Sequence, residues 1–409
     1  MYKNYLKIAF RSIWNNKTFS MINVIGLSIG LSTAFVIGIM VYYDLTFDKF
    51  HKDRERIYRV VMDTLGPDQE GHSRGVPVPL IDALKNNSTG IDHVSPFFLF
   101  NFNKVIVAAN QNEFNWLGDG VVADESYFKV FNYQWLAGSA DAALKNPYEV
   151  VLSKSRAEKY FPGKSPEETI GNTLIYEDSL IVKVIGVVAE FEERSDFIFK
   201  EFLSRKSFQN SEKYVYFYDR SWGSISSSTQ LFIKADEFNN KSAIQAQLDD
   251  LAKESENEEM AALGYTRTFN LQALENLHLN DNYGVFDTSS YRASADVLVG
   301  LVFIATFLLL LACINFINLN TAQSSKRAKE IGIRKTLGSS KKQLVIQYLG
   351  ETLILTILAS ILSLFLASFL LRVFADFTPP GLGIDLLQNP VLIVSLIGLL
   401  ILITFKLFF

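Results

Sequence analysis

From Phe19 to Tyr43 the chain carries no charged side chain, and the same holds from Val297 to Leu319 and from Thr352 to Leu371. A helix rises ~1.5 Å per residue, so about 20 residues cross the ~30 Å hydrocarbon core of a bilayer. All three stretches meet that length, and Leu344 to Gly350 extends the third on its N-terminal side. A chain with such segments folds around a membrane, and every other segment must then be given a side. A fourth apolar run begins after Pro390, is interrupted by Lys406 and stops at Phe409. The expectation is four transmembrane helices, the last incomplete.

Lys3, Lys7, Arg11 and Lys17 precede the first span with no acid among them, which has the look of a secretion signal. The apolar part is longer than the ~7–15 residues of a signal peptide, and no small-x-small cleavage site follows it, so an uncleaved helix is expected. Between the second and third spans stand Lys326, Arg327, Lys329, Arg334, Lys335, Lys341 and Lys342 against the single acid Glu330. Basic loops stay inside, which places this loop and the N-terminus in the cytoplasm. The connection 376–389 holds two acids, Asp376 and Asp385, and no Lys or Arg, as an outside loop should. Residues 44–296, in which acids outnumber bases, are left outside. An even number of crossings separates the two basic segments, so the topology is self-consistent.

The segments expected are a cytoplasmic amphipathic helix at 1–18, a first transmembrane helix at 19–43 and an exported domain at 44–296. A second span at 297–319, a cytoplasmic loop at 320–343, a third span at 344–375, an outside loop at 376–389 and a partial fourth span at 390–409 complete the chain. Leu6, Ala9, Phe10, Ile13 and Trp14 recur at helical spacing opposite Lys3, Lys7 and Arg11, the pattern of a helix lying on anionic lipid. Within the first span Gly26, Gly30, Ala34 and Gly38 fall every fourth residue, a stripe that lets another helix approach closely.

The outside domain reads as α+β with room for two lobes. Arg56 to Met62 is a strand and Leu80 to Leu84 begins a short helix. Val150 to Leu152 leads into a helix over Ser153 to Tyr160, and Ile181 to Val188 is a strand. A β-α-β pattern runs from Leu231 to Ile233 through Ile244, Leu248 and Leu251 to Phe269 and Leu271. The single cysteine, Cys313, lies in an apolar span, so the domain must fold without an internal disulfide. No catalytic constellation emerges. Gly163-Lys164-Ser165 lacks the first glycine of a phosphate-binding loop, which would fall at Glu158. His51, His72, His93 and His278 have no metal-ligand spacing. No G-x-S-x-G nucleophile context is present. The chain is therefore expected to be no enzyme, to hold no cofactor or metal and to bind no nucleic acid.

The basic loop is the most informative stretch. Glu330 and Arg334 stand at i and i+4 on a helix, with Ile331, Ile333 and Leu337 supplying an apolar surface between charges and Gly338 ending the helix. The run Lys326-Arg327-Ala328-Lys329-Glu330-Ile331-Gly332-Ile333-Arg334-Lys335-Thr336-Leu337-Gly338-Ser339-Ser340, followed by Gln347-Tyr348-Leu349-Gly350-Glu351, resembles the FtsX-like permease domain, here 297–409. Phe19 to Gly30 with Phe47-Asp48-Lys49-Phe50-His51 and Arg56-Ile57-Tyr58-Arg59-Val60 is similar to the MacB-type permeases of Bacteroidetes. Val151-Leu152-Ser153, Ala157-Glu158-Lys159-Tyr160-Phe161 and Val184-Ile185-Gly186-Val187 are similar to that family's periplasmic core domain.

The resemblance implies a multi-pass permease of an ABC transporter in the bacterial inner membrane, with its large domain in the periplasm. A separate cytoplasmic ABC ATPase would drive it, for efflux or for mechanotransmission. It further implies that Arg327, Glu330, Ile331, Gly332, Ile333, Arg334, Lys335, Leu337 and Gly338 form the ATPase-coupling surface. The remaining partners would be membrane lipids and a second permease half or a second copy. The departure from the family is the abrupt end in the fourth helix, which suggests a fragment or a degenerate half. The competing class is a membrane-anchored sensor or scaffold that signals without transport; a kinase or cyclase module after the last helix would favour it, and the sequence has none.

Overall fold

The computed structural model describes residues 11, 13–14, 16–67, 70–209, 212–256, 262–286, 293–338, 340–379, 382–383 and 398, without the side chains of 212–213, 320, 324–330 and 334. It divides into two compact units, one of residues 1–45 with 295–409 and one of residues 46–294.

The first unit is built on three long helices, α1 (Lys17–Asp44), α2 (Ala295–Thr336) and α3 (Lys341–Val373). Among the described residues, three helical stretches are long and apolar enough to cross a membrane: Lys17–Asp44, Ala295–Gln323 and Lys341–Val373. The expected fourth span, and most of the amphipathic segment 1–18, lie outside the described residues. Helix α1 packs against both others. Leu27 and Leu31 cluster with Phe316 of α2 and with Leu355 and Ala359 of α3. Further along, Phe35, Val36 and Ile39 cluster with Ala367 and Leu371 of α3.

The helix expected around Glu330 to Arg334 is continuous with the second span, the two forming a single helix of 42 residues. Nothing between Asn320 and Thr336 breaks it: the segment has no proline and only one glycine, Gly332. The stop comes at Gly338, whose φ of +93° suits glycine and whose N–H donates to the Lys335 carbonyl at 3.1 Å. Helix α3 then starts with a reciprocal cap. Ser340 accepts from the Gln343 N–H, and the Gln343 side chain accepts from the Ser340 N–H.

The second unit is an α+β domain on one mixed sheet. Its strands are β1 (Ile57–Leu65), β2 (Glu70–Ser73), β3 (Ile91–Val107), β4 (Asn112–Ala123), β5 (Trp135–Ala137), β6 (Glu149–Ser153), β7 (Thr173–Tyr176), β8 (Leu180–Val188), β9 (Glu201–Ser204), β10 (Thr229–Ala235) and β11 (Thr266–Ala273). The main path runs β11-β1-β10-β3-β4-β9-β6-β8-β5, with β2 beside β1 and β7 beside β3 and β8. The pairs β4–β9 and β6–β8 are parallel, and the others antiparallel. One sheet thus threads what the sequence suggested as two lobes. The pattern from Leu231 to Leu271 is a split unit: β10 and β11 both lie antiparallel to β1, which sits between them.

Successive strand residues point to opposite faces, and here both faces are covered. Phe98, Val122, Val150, Leu152, Leu231 and Ile233 pack under the helices Val78–Asn87, Lys154–Tyr160 and Lys241–Ser255 through Leu80, Ile81, Ala157, Tyr160, Ile244 and Leu248. Their neighbours Phe97, Val121, Val151 and Phe232 pack on the other face with Tyr127, Phe128, Phe131, Phe197, Phe199 and Phe286. Each large side chain enclosed this way contributes about 1.5–3 kcal/mol. A core of this size serves where disulfides cannot.

Candidate functional site

The segment that resembles a phosphate-binding loop has structural contacts of its own. Gly163, at φ +83°, makes the turn before a short helix, Pro166–Thr169, and Ser165 caps that helix reciprocally with Glu168. Lys164 Nζ donates to Asn172 Oδ1 at 2.8 Å. The segment resembling a phosphate loop is therefore occupied with capping. Among the described residues no three His, Cys, Asp or Glu side chains group as metal ligands.

The exposed apolar groups expected to meet a partner lie elsewhere. At the end of α2, Ile333 is 55% exposed and Leu337 80%, an apolar pair one helical turn apart on a segment rich in charge. Ile331 is half-buried, and Gly332, Lys335 and Gly338 are exposed. Arg327, Glu330 and Arg334 belong to the same helix, their side chains lying outside the described residues.

The small-residue stripe divides. A Cβ placed on Gly30 would stand 2.3 Å from the Ala312 Cβ of α2, and one on Gly26 would stand 3.2 Å from Asn315 Nδ2. Ala34 is half-buried, and Gly38 is exposed with nothing within 4 Å of such an atom. Gly26 and Gly30 thus bring α1 and α2 to close approach, and Gly38 does not. Gly30→Leu is expected to force the helices apart and lower the stability of the helical unit by about 1–3 kcal/mol, as overpacking does. Gly38→Leu should cost almost nothing. Thermal unfolding in detergent checks both.

A third element was invisible in the sequence. Residues 46–51 follow α1 directly, and they are stitched to a distant loop and to the segment that precedes α2. The Asp48 N–H donates to the Arg194 carbonyl at 2.9 Å, and Asp48 itself sits at φ +54°. Its carboxylate accepts from Ser195 Oγ at 2.5 Å and from the Asp196 N–H at 3.3 Å, and lies 3.4 Å from His51 Nε2. Arg194 Nη1 donates to Thr46 Oγ1 at 2.7 Å. Asp196 Oδ1 is 2.9 Å from His278 Nδ1, and the His278 ring stacks on Phe47 at 3.6 Å. Phe191, Phe197 and Phe131 surround His51.

Burial pushes the Asp196 carboxyl up, with His278 opposing and Asp48 reinforcing. The histidines that looked scattered, His51 and His278, thus share one network. No local spacing could reveal it, since its members come from three segments far apart in the chain. It fastens the domain's entry to its exit. Asp48→Ala strands two donors and is expected to open residues 191–197 by about 1.5–3 kcal/mol, the range for hydrogen bonds to a charged group. Faster amide exchange there, with the helix Lys241–Ser255 unchanged, is the readout.

Comparison with known proteins places the chain. The family model for the MacB-like periplasmic core domain matches residues 20–251, and that for the FtsX-like permease C-terminal region matches 302–408. A solved domain assigned to a permease protein from Porphyromonas gingivalis is similar at 15% identity and a TM-score of 0.46, covering 59% of this chain and 97% of that one. The periplasmic region of MacB from Actinobacillus actinomycetemcomitans is similar at 16% identity and a TM-score of 0.34, covering 51% of this chain and 87% of that one. Among curated proteins nothing matches. The family models, covering most of the chain between them, decide the assignment. The chain belongs to the family of permeases that join a MacB-like periplasmic core domain to an FtsX-like permease region, membrane components of ABC transporters that work with a cytoplasmic ABC ATPase.

Proposed function

We propose that this permease transmits the ATP-driven motion of a separate cytoplasmic ATPase to its own periplasmic domain, for export or for mechanical activation of envelope processes, from the bacterial inner membrane. The observation that carries this reading is the continuity of α2. One unbroken helix begins where the domain ends and finishes in the segment Arg327 to Gly338. A helix is stiff along its axis, so a push on its cytoplasmic end arrives at its outer end without a joint to absorb it.

The ATPase would bind the last two turns. Ile331, Ile333 and Leu337 would each gain roughly 1.5–3 kcal/mol if fully enclosed by a partner. The basic residues around them would steer association and hold anionic lipid headgroups, at ~1 kcal/mol each and weakened by salt. Gly338 would fix where the coupling helix stops. A second permease half or a second copy would complete the assembly. The fastening at Asp48, Asp196 and His278 would let the domain receive the movement at its entry and exit together.

The reading requires residues 44–296 to lie in the periplasm and 320–343 in the cytoplasm. A reporter active only outside the cytoplasm is expected to be active when fused after Lys200 and silent when fused after Lys335. The opposite pattern would remove the basis of the proposal.

A further inference from the structure

Within the 46–294 unit, the end of the helix Val78–Asn87, the start of β3 and the turn that leaves β4 line a cavity of about 270 Å³. Sites for drug-sized molecules span roughly 300–1,000 Å³, so this one suits a smaller ligand.

The charges of its wall cancel in pairs, with one left over. Asp124 is buried, forms an ion pair with Lys85, and accepts from the Ser126 N–H at 3.0 Å and from the Ser126 hydroxyl. Asp92 Oδ2 lies 3.4 Å from Arg56 Nη1, and Glu125 Oε2 lies 3.6 Å from Lys206 Nζ. Each carboxylate of the wall thus has a cation of its own. The Lys129 ammonium has no hydrogen-bond or ion-pair partner among the described residues, and neither has the His93 imidazole. Both side chains belong to half-buried residues. Burial, and after it the charge on Lys129, holds His93 below its ordinary value against the opposing pull of Asp92. The ring is therefore neutral at pH 7 and has one N–H to donate. The rest of the wall includes an apolar patch, made by the buried Leu84 with the partly buried Ile91 and Val94.

We propose that this cavity binds a short-chain aliphatic carboxylate, its anionic end held by Lys129 and His93 and its chain laid against Leu84, Ile91 and Val94. An ammonium drawn partly out of water without a counter-ion is unfavourable, and a bound carboxylate corrects that with a charge-assisted hydrogen bond. The pairing of the wall selects against a zwitterion. Asp92, Asp124 and Glu125 are each engaged by a cation, so none is left to receive a ligand ammonium. The apolar patch selects against inorganic phosphate, which would leave that patch uncovered. A ligand seated there touches the helix, β3 and the turn after β4 together, which makes the domain a receptor for small carboxylates. The inference does not depend on coupling to an ATPase.

Calorimetric titration of the full chain in nanodiscs with sodium valerate tests it, with empty nanodiscs as the blank. Saturable binding is expected with a Kd at or below about 1 mM, the affinity that one charge-assisted anchor and a short apolar chain can supply. Lys129→Gln should weaken it about tenfold or more, and Lys129→Arg should keep it within about threefold, since the charge remains. Norvaline, which adds an ammonium to the same chain, and inorganic phosphate should each bind at least about tenfold more weakly than valerate. Ser88→Phe, which fills the cavity from the helix end, should abolish binding, and it serves if Lys129→Gln does not fold. No saturable heat from valerate up to about 10 mM, or a Kd unchanged in Lys129→Gln, would overturn the proposal. Phosphate binding as tightly as valerate would overturn it too, reducing the cavity to an unselective anion patch. Binding needs no ATPase, so failure here leaves the coupling reading standing, and the fusion reporters test the topology separately.

Discussion

Glu201→Ala is expected to destabilise the periplasmic domain by about 3–5 kcal/mol, the range for breaking a buried ion pair by removing one partner. Glu201 lies in β9, between β4 and β6, and is fully buried. Its carboxylate meets Arg156 Nε at 3.1 Å and accepts from the Tyr160 hydroxyl. Arg156 is itself buried, with Nη2 donating to the Gly118 carbonyl at 2.8 Å. Alanine leaves a guanidinium charge in the core without its counter-ion. At roughly 2–4 °C per kcal/mol for a domain of this size, the melting temperature should fall by about 10 °C.

The same site fixes a pH dependence. Burial raises the Glu201 carboxyl above its ordinary value although Arg156 pulls the other way. The folded state therefore holds that proton more tightly than the unfolded state. This contribution is most favourable at low pH and is lost as pH rises through the carboxylate range. The double substitution Arg156→Met with Glu201→Leu should recover most of the loss, since well-packed apolar residues commonly replace a buried pair at little cost. The advantage of wild type over that double variant should grow as pH is lowered from 7 toward about 5. Amide exchange across β6 and β9 in the full chain measures all three proteins.

How much of this could be read from the sequence depends on how local each signal is. The unit β6, helix Lys154–Tyr160 and β8 was legible because Ser153 caps the helix, accepting from the Arg156 N–H, and because Val150, Leu152, Val182 and Val184 mark one sheet face. The long hairpin of β3 and β4 was not. Phe97 and Phe98, like Val121 and Val122, are all buried, so the alternation that marks a half-buried strand is missing. A register shift between Phe100 and Phe102, with Trp116 and Asp119 at positive φ, interrupts what remains.

Three of the four expected spans coincide with helices long and apolar enough to cross a membrane, and they were legible from length and charge alone. The helix at Glu330 to Arg334 and its stop at Gly338 could be read from spacing, while its continuity with the second span depends on the absence of a breaker before Gly338. The glycine stripe is visible in the sequence, but which of its glycines approach α2 depends on where the helices cross. The fastening of Asp48, Asp196 and His278 exists only in three dimensions.

The account stands on α2 acting as an unbroken lever between the ATPase and the domain. Gln323→Pro places a break at the end of the stretch fit to cross the membrane, just before the charged segment. Proline removes one i to i−4 hydrogen bond and clashes with the preceding turn, at ~3 kcal/mol or more, so the helix kinks or breaks there. The binding surface at Ile331, Ile333 and Leu337 lies beyond the break and keeps its own turns. The decisive measurement is ATP hydrolysis by the cognate ATPase reconstituted with the permease in nanodiscs, alongside co-purification of the two. Gln323→Pro is predicted to retain the ATPase but lose permease-dependent stimulation, Gln323→Ala to keep both, and Ile331→Asp to lose both. Full stimulation by correctly inserted Gln323→Pro would contradict the lever.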